Sequence, residues 1–302
     1  MEQLFPRTEV AGVSLSRMII GTNWLLGWSH TGNAADQMIR ERYHDKESMF
    51  PVLNAFLGYG IDTIMGPISQ NPRMLDAIEY AEQKTGKRMI LVDTPILNVS
   101  DSRQARAEAE KAVRESARIG SAFCLIHHSS AEQLVNKNTA TIDRLGDYTS
   151  MIRDAGMKPG LSAHMPELIV YSDANGYDVE TYIQIYNCLG FMMQVEIETV
   201  ASIIHSAKKP VMTIKPMGAG RCTPYVGLNF SWNTIRSCDM VTVGCFSESE
   251  VHEDVEISSA ALERRFPNLS GRSSPNRNQA ALGGKQVTDE YGIKDMNDVH
   301  AL

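Results

Sequence analysis

Excess positive charge is missing from this chain of 302 residues, where 29 Lys and Arg face 36 Asp and Glu for a formal net charge of -7. Polyanions are held by a concentrated basic field, so neither nucleic acid nor an anionic membrane surface is an expected partner. Long hydrophobic runs are missing too. No uninterrupted apolar stretch approaches the roughly 18 residues that a membrane span needs, and the opening "MEQLFPRTEVAG" has neither the basic nor the apolar part of a secretory leader. Cysteine is sparse and scattered: Cys124, Cys188, Cys222, Cys238 and Cys245 form no CxxC pair, which suits a reducing compartment. These absences point to a soluble, cytoplasmic protein whose partner is a small-molecule substrate, with homo-oligomerisation left open.

What is present is an ordinary globular composition, 43% hydrophobic and 22% charged, with length enough for a sizeable core. Short apolar runs recur at residues 17–24, 60–66, 88–95, 122–128, 158–164, 181–187, 210–216 and 239–246. Runs apolar on both faces mark parallel strands buried on both sides. The segments between them read as helices. In "SRQARAEAEKAVRESARIG", Ala105, Ala109, Ala112, Val113 and Ile119 make one apolar stripe and Gly120 a stop. In "SESEVHEDVEISSAALERRF", Ser247 and Glu250 fit a capping box ahead of Val251, Val255 and Leu262. Eight alternations favour a closed (β/α)8 TIM barrel of the α/β class over residues 1–266, followed by a Pro, Gly, Ser and Asn rich tail over 267–302.

Such barrels do their chemistry at the carboxyl ends of the strands. The residues to watch are therefore Asn23, Trp24, Met65, Asp93, His127 or His128, His164, Asn187, Lys215 and Cys245. Adjacent strand residues face opposite ways, so in "FCLIHHSS" only one of the two histidines is expected to face the mouth; strand parity selects His127 and turns His128 away. The first connection, "LLGWSHTGNAADQMIRERYHDKESMF", is long enough to fold over the mouth and to bring His30 with it, and Glu167 is a second candidate from a loop.

Taken in order, "SLSRMIIGTNWLLG", "LIHH", "GLSAHMPE", "TIKPMGAGR" and "CDMVTVGCFSESEVHEDVEIS" resemble the first, fourth, fifth, seventh and eighth strands of the aldo-keto reductases, over residues from about 13 to 262. The resemblance implies that family's barrel. It also implies an Asp, Tyr, Lys and His tetrad, of which only the His is matched, at His127; Met65 stands for the Asp, about Gln70 for the Tyr, and Asp93 or Thr94 for the Lys. Asp62 serves as the acid only if the strand register slips. Neither a thioether nor an amide delivers a proton near neutral pH, so hydride transfer by the family's route is disfavoured. By the same resemblance, Ser162 and Gln184 match positions that hold a nicotinamide amide, and Gly218 and Gly220 lie in the glycine-rich turn after the seventh strand; Ala163 replaces the usual Asn. Where the family presents cations to the NADP phosphate, this chain has Ser247-Glu248-Ser249-Glu250, so NAD(P) is disfavoured, NADP more than NAD.

With the Lys replaced, Asp93, His127 and His164 end three consecutive barrel strands, and a carboxylate with two imidazoles is a ligand set for Zn, Mn or Fe. The leading reading is a metal-assisted lyase, isomerase or hydrolase on a small sugar-like or carbonyl compound. In it His127, Lys215 and Asp93 act catalytically, and Trp24, Asn23, Asn187 and Arg221 hold substrate. The alternatives are an NAD(P)-dependent oxidoreductase in which His127 replaces the missing Tyr, and a non-catalytic ligand-binding barrel.

Overall fold

The computed structural model of the chain describes residues 4–268. The strands β1 (Arg7–Val10) and β2 (Val13–Ser16) form an antiparallel hairpin, turned by Ala11 and Gly12 with φ of 49° and 78°. Two left-handed residues in succession make the tight turn that matches the twist of paired strands. There follow β3 (Met18–Gly21), β4 (Thr63–Gly66), β5 (Ile90–Asp93) and β6 (Phe123–Ile126), then a short outer hairpin of β7 (Val135–Asn136) and β8 (Thr141–Ile142). The series ends with β9 (Lys158–Ala163), β10 (Thr181–Ile185), β11 (Val211–Ile214) and β12 (Met240–Val243). Eight of these close a parallel barrel in the order β3, β4, β5, β6, β9, β10, β11, β12 and back to β3. Each lies inside one of the apolar runs of the sequence, as the (β/α)8 reading requires.

Around the barrel run α3 (Lys46–Gly58), α4 (Pro72–Thr85), α5 (Arg103–Arg118), α7 (Leu145–Asp154), α8 (Glu167–Asn175), α9 (Ile197–Ser206), α10 (Pro224–Thr234) and α11 (Glu248–Glu263), one after each strand of the barrel. The short α1 (Asn23–Leu26) and α2 (Asn33–Arg42) lie in the first connection, and α6 (His128–Ala131) follows β6. The stripe on α5 is buried at Ala105, Ala109 and Val113, and the Ser102 hydroxyl caps the helix by accepting the Ala105 N–H at 3.1 Å. On α11, Ser247 accepts the Glu250 N–H at 3.2 Å, but the Glu250 carboxylate reaches back one residue further than the capping box predicts and takes the Phe246 N–H at 2.6 Å. No described helix is long and apolar enough to cross a membrane. Beyond Asn268, the tail expected over 267–302 lies outside the described residues.

Two cores follow from strand parity. Ile19, Met65, Val92, Phe123, Leu125, Ile183, Met212 and Met240 point inward and fill the barrel, with Val10 and Leu15 of the hairpin plugging its amino-terminal end. The alternate residues, Ile20, Ile64, Leu91, Cys124 and Ile126 among them, pack outward against the helices. The interior is tight enough that a Cβ on Gly160 would fall 2.7 Å from both the Leu125 side chain and the Thr181 carbonyl. With one end plugged, the free volume is left at the carboxyl end.

Candidate active site

That end opens into a cavity of about 410 Å³ whose floor is Met65, Ile183 and Ile214. Trp24 and Trp28 form an aromatic wall, and Asn23, His30, Thr94, His127, His128, Ser162, His164 and Lys215 supply polar groups. Trp24 packs against the bare backbone of Gly244, where a Cβ would lie 3.0 Å from the indole. Among the described residues, the wall contains no Asp, Glu, Arg or Tyr. The first connection does reach the mouth, contributing Trp28, Ser29 and His30, with Ser29 pinned through its N–H and hydroxyl to Asp36 of α2 at 2.7 and 2.6 Å.

Both histidines of the pair reach the cavity, contrary to strand parity. The strand ends at Ile126, His127 caps α6 with φ -56° and ψ 145°, and His128 already belongs to that helical turn, so the two-residue alternation no longer applies. Three imidazoles pack in series: His127 lies 4.2 Å from His128 between centroids, and His128 stacks on His164 at 3.8 Å with 16° between planes. Burial, reinforced by the neighbouring imidazoles and Lys215, pushes His127 down to about 4 and His164 down to about 3; burial also lowers His128, against the pull of the nearby Glu132 carboxylate. All three rings are therefore neutral at pH 7. The Ser129 N–H points at His127 Nδ1 at 3.3 Å and the Ser129 hydroxyl lies 2.8 Å from it, so Nδ1 accepts and the ring proton sits on Nε2.

Lys215 follows β11 with φ of 61°, an uncommon conformation for a residue with a Cβ, held by the Gly218 N–H donating to its carbonyl at 2.9 Å. Its ammonium lies 3.0 Å from His30 Nε2, which Asn23 Nδ2 also approaches at 3.0 Å. Two donors on one nitrogen make that nitrogen the acceptor and place the His30 proton on Nδ1. Burial, with no carboxylate on the wall to offset it, brings Lys215 down to about 8.

Several residues expected at the mouth are elsewhere. Asp93 is the register partner of Cys124 and faces outward, fully buried behind the barrel, where it accepts the Ser69 N–H at 3.1 Å and the Ser116 hydroxyl of α5. Burial raises its pKa despite those bonds. Val92 and Thr94, its neighbours, are the inward pair, so Asp93 is neither a mouth carboxylate nor a ligand beside His127. Asn187 spends its amide on the next loop, accepting from Leu189 and Phe191 N–H and donating to the Phe191 carbonyl at 3.0 Å. Gln184 alternates with inward Ile183 and donates at 3.3 Å to the His164 carbonyl, so it does not line the cavity, whereas Ser162 does. Gly220 lines it and Gly218 does not. Arg221 lies over the Phe191 ring at 3.8 Å and donates to the Gly218 and His30 carbonyls, fixing the loop rather than entering the cavity. Glu167 pairs with Lys137 at 2.7 Å, and the Cys245 thiol turns outward to Asp254 at 3.4 Å. Asp62 pairs with Arg7 at the opposite end, so the register has not slipped, and Gln70 joins two loops through Ile96.

A residue missed in the sequence is Glu132, which with His128 and His164 offers ligand atoms within 4.8 Å of one another. An imidazole lone pair lies in the ring plane, however, and two rings stacked face to face aim along parallel planes rather than at one ion. One Glu132 oxygen is also engaged by the His164 and Met165 N–H groups at 2.6 and 2.9 Å. The set does not converge as a metal centre. The first turn of α11 carries Glu248 and Glu250, the latter accepting the Phe246 N–H, so a phosphate placed at that helix terminus would meet carboxylates instead of cations.

No protein-family model and no curated protein matches the chain. Solved structures do. A protein from Pseudomonas aeruginosa that carries an aldo-keto reductase assignment is similar at a TM-score of 0.63 and 13% identity, over 87% of this chain and 98% of that one. An aldo/keto reductase from Klebsiella pneumoniae in complex with NADP and acetate is similar at a TM-score of 0.55 and 13% identity, over 89% of this chain and 92% of that one. At such identity the likeness is one of fold, and it bears out the resemblance read from the sequence at that level: the chain has the barrel of the aldo-keto reductases.

Proposed function

We propose that the mouth of this barrel is an active site for acid–base chemistry on a small, negatively charged carbonyl compound, a lyase or isomerase reaction in which a proton next to the carbonyl is moved. The observation that carries this reading is that a neutral imidazole with its proton on Nε2 and a buried amine share one cavity that, among the described residues, has no carboxylate on its wall. The neutral His127 Nε2–H is a donor for a carbonyl oxygen, as neutral imidazoles serve in enolising enzymes. Lys215, near 8, exchanges protons close to neutral pH, where a general acid or base works best, and its charged form balances a developing oxyanion or a substrate carboxylate. Trp24, Met65 and Ile214 give the reacting carbon an apolar surround. A divalent metal would require His164 to swing off His128, and it has no part in this reading.

The test is deuterium wash-in. A panel of 2-oxo acids and hydroxyaldehydes is incubated with the protein in D2O, and exchange beside the carbonyl is followed by NMR. Exchange above the protein-free rate is expected for at least one member, falling about a hundredfold or more in His127→Ala and Lys215→Met. A second reading, a nicotinamide-dependent reductase with His127 as proton donor, is favoured by the NADP-bearing neighbour and by Ser162 on the wall. Oxidation of NADPH by carbonyl compounds with no exchange of any of them overturns the first reading in favour of the second.

A further inference from the structure

We infer that Lys215 acts covalently, its amine condensing with the substrate carbonyl to form a Schiff base at the mouth of the barrel. This rests on the acid–base reading and names the nucleophile within it. Among the described residues, Lys215 is the single lysine on the cavity wall, no carboxylate pairs with it, and its one side-chain partner is His30 Nε2 at 3.0 Å. Most buried lysines are held by an acid, which keeps them charged and unreactive. Here the partner is an imidazole acceptor, positioned to take a proton from the amine. The backbone at Lys215 is left-handed immediately before Pro216, an unusual state tied down by the Gly218 N–H, which fixes the direction of the stem. Burial without a counter-charge lowers the amine's pKa to about 8, so an appreciable fraction is unprotonated near neutral pH.

The step balances without any redox partner. The amine lone pair forms a C–N bond to the carbonyl carbon while the carbonyl π pair moves to oxygen. One Nζ proton passes through His30 to that oxygen, giving a carbinolamine. The nitrogen lone pair then expels the hydroxyl, which leaves as water with the second Nζ proton, and one C=N bond has replaced one C=O. The product of these steps is the neutral imine; one proton from solvent on its nitrogen gives the iminium, which withdraws electrons from the adjacent carbon more strongly than a carbonyl does, the property needed to break a C–H or C–C bond there.

The full chain is incubated at pH 7 with pyruvate, and separately with glycolaldehyde, in the presence of cyanoborohydride, which delivers hydride to an imine and makes the bond permanent. Acetate, which has no ketone or aldehyde, is the control. Intact mass and peptide mapping are expected to show one adduct per chain, at Lys215, exceeding exposed Lys46 and Lys111 by about tenfold. Lys215→Arg is expected to lose the adduct, and His30→Ala to slow its formation. Labelling of Lys215 no greater than that of Lys111 with both probes overturns the proposal. If that occurs while His127→Ala still abolishes deuterium exchange, the covalent step falls and the acid–base site stands. If neither labelling nor exchange is seen, both fall.

Discussion

The two ends of the barrel treat charge in opposite ways. At the amino-terminal end, beneath the hairpin, Asp239 is fully buried and completely engaged: it takes two bonds from the Arg236 guanidinium at 2.7 and 2.9 Å, the Arg236 N–H at 2.9 Å and the Val211 N–H at 2.8 Å. Arg17 closes the same region by donating to the Asp239 and Arg236 carbonyls at 3.0 Å and lying over Trp232. At the carboxyl end, among the described residues, Lys215 has no acid, three imidazoles crowd together uncharged, and the Thr22 and Thr242 hydroxyls on the cavity wall have no partner. Buried polar groups in folded proteins are nearly always satisfied, and groups left unsatisfied call for a reason. The buried carboxylate of the amino-terminal end is answered in full, although Trp232 Nε1 in the same region has no partner, whereas among the described residues the charge at the mouth is answered by no acid and the two hydroxyls by no acceptor.

If that contrast is right, removing charge should destabilise one end and not the other. The largest effect is expected for Asp239→Ala, which strands the Arg236 guanidinium and the Val211 N–H in the interior: a loss of about 4 kcal/mol of unfolding free energy by denaturant titration. A loss under 1 kcal/mol would mean that this end is no better satisfied than the mouth. Next comes acid. His127 and His164 titrate at about 4 and about 3 when folded, below the ordinary imidazole value, so between pH 6.5 and 4 the unfolded chain binds more protons and stability falls as pH falls. Allowing for solvent at the mouth, the pair is expected to remove about 2 kcal/mol by pH 4. The double variant His127→Gln, His164→Asn should flatten that part of the profile; an unchanged slope would place the sensitivity elsewhere.

The eight strands were legible because burial on both faces leaves unbroken apolar runs, and α5 because its stripe and caps agree. The plugging hairpin was not, since its turn is Ala11–Gly12 and alanine gives no sign of a left-handed residue. At the mouth, legibility failed where a side chain's direction depends on one residue of strand length. Asp93 ends β5 in sequence but stands on the outward parity, and its carboxyl is answered by Ser116, which is 23 residues away and invisible as a partner until α5 packs. His128 fails in the other direction, because α6 begins one residue earlier than parity supposes. Glu132 carried no signal at all: its task, holding the His164 and Met165 N–H groups, exists only in three dimensions. His127, Lys215, Asn23 and Trp24 line the cavity from just beyond the ends of their strands, which close at Ile126, Ile214 and Gly21, so their positions follow from the loops and short helix that come next rather than from strand parity.

A smaller effect of opposite sign is expected at Lys215. An ammonium buried without an acid costs stability at neutral pH, and Lys215→Met keeps much of the stem's volume while removing the charge. Unfolding free energy should rise by about 1 kcal/mol at pH 7, after loss of the His30 hydrogen bond is counted. The pH profile gives an independent check. With a folded value near 8 and an unfolded value near 10.5, wild-type stability should increase with pH across that interval, and the variant should lack the increase. Destabilisation of Lys215→Met would show that the amine is a structural element like Asp239.

The smallest effect is expected for Asp62→Asn. Asp62 and Arg7 are both partly exposed, and Arg7 is held in addition by the Ser14 side chain and carbonyl and by the Gly60 carbonyl. An amide oxygen still accepts the Arg7 guanidinium, so only the Coulomb part is lost, about 0.5 kcal/mol at such a site. This residue is also the alternative seat for the acid of the reductase tetrad, reached only by shifting β4 in register. It lies at the plugged end, with the whole interior layer of Ile19, Met65 and Val92 between it and the cavity, and deuterium exchange by Asp62→Asn should therefore equal that of the unmodified protein. Loss of exchange with the fold intact would mean that β4 is threaded the other way, that an acid reaches the mouth, and that the opposition between a satisfied end and an unsatisfied one does not hold.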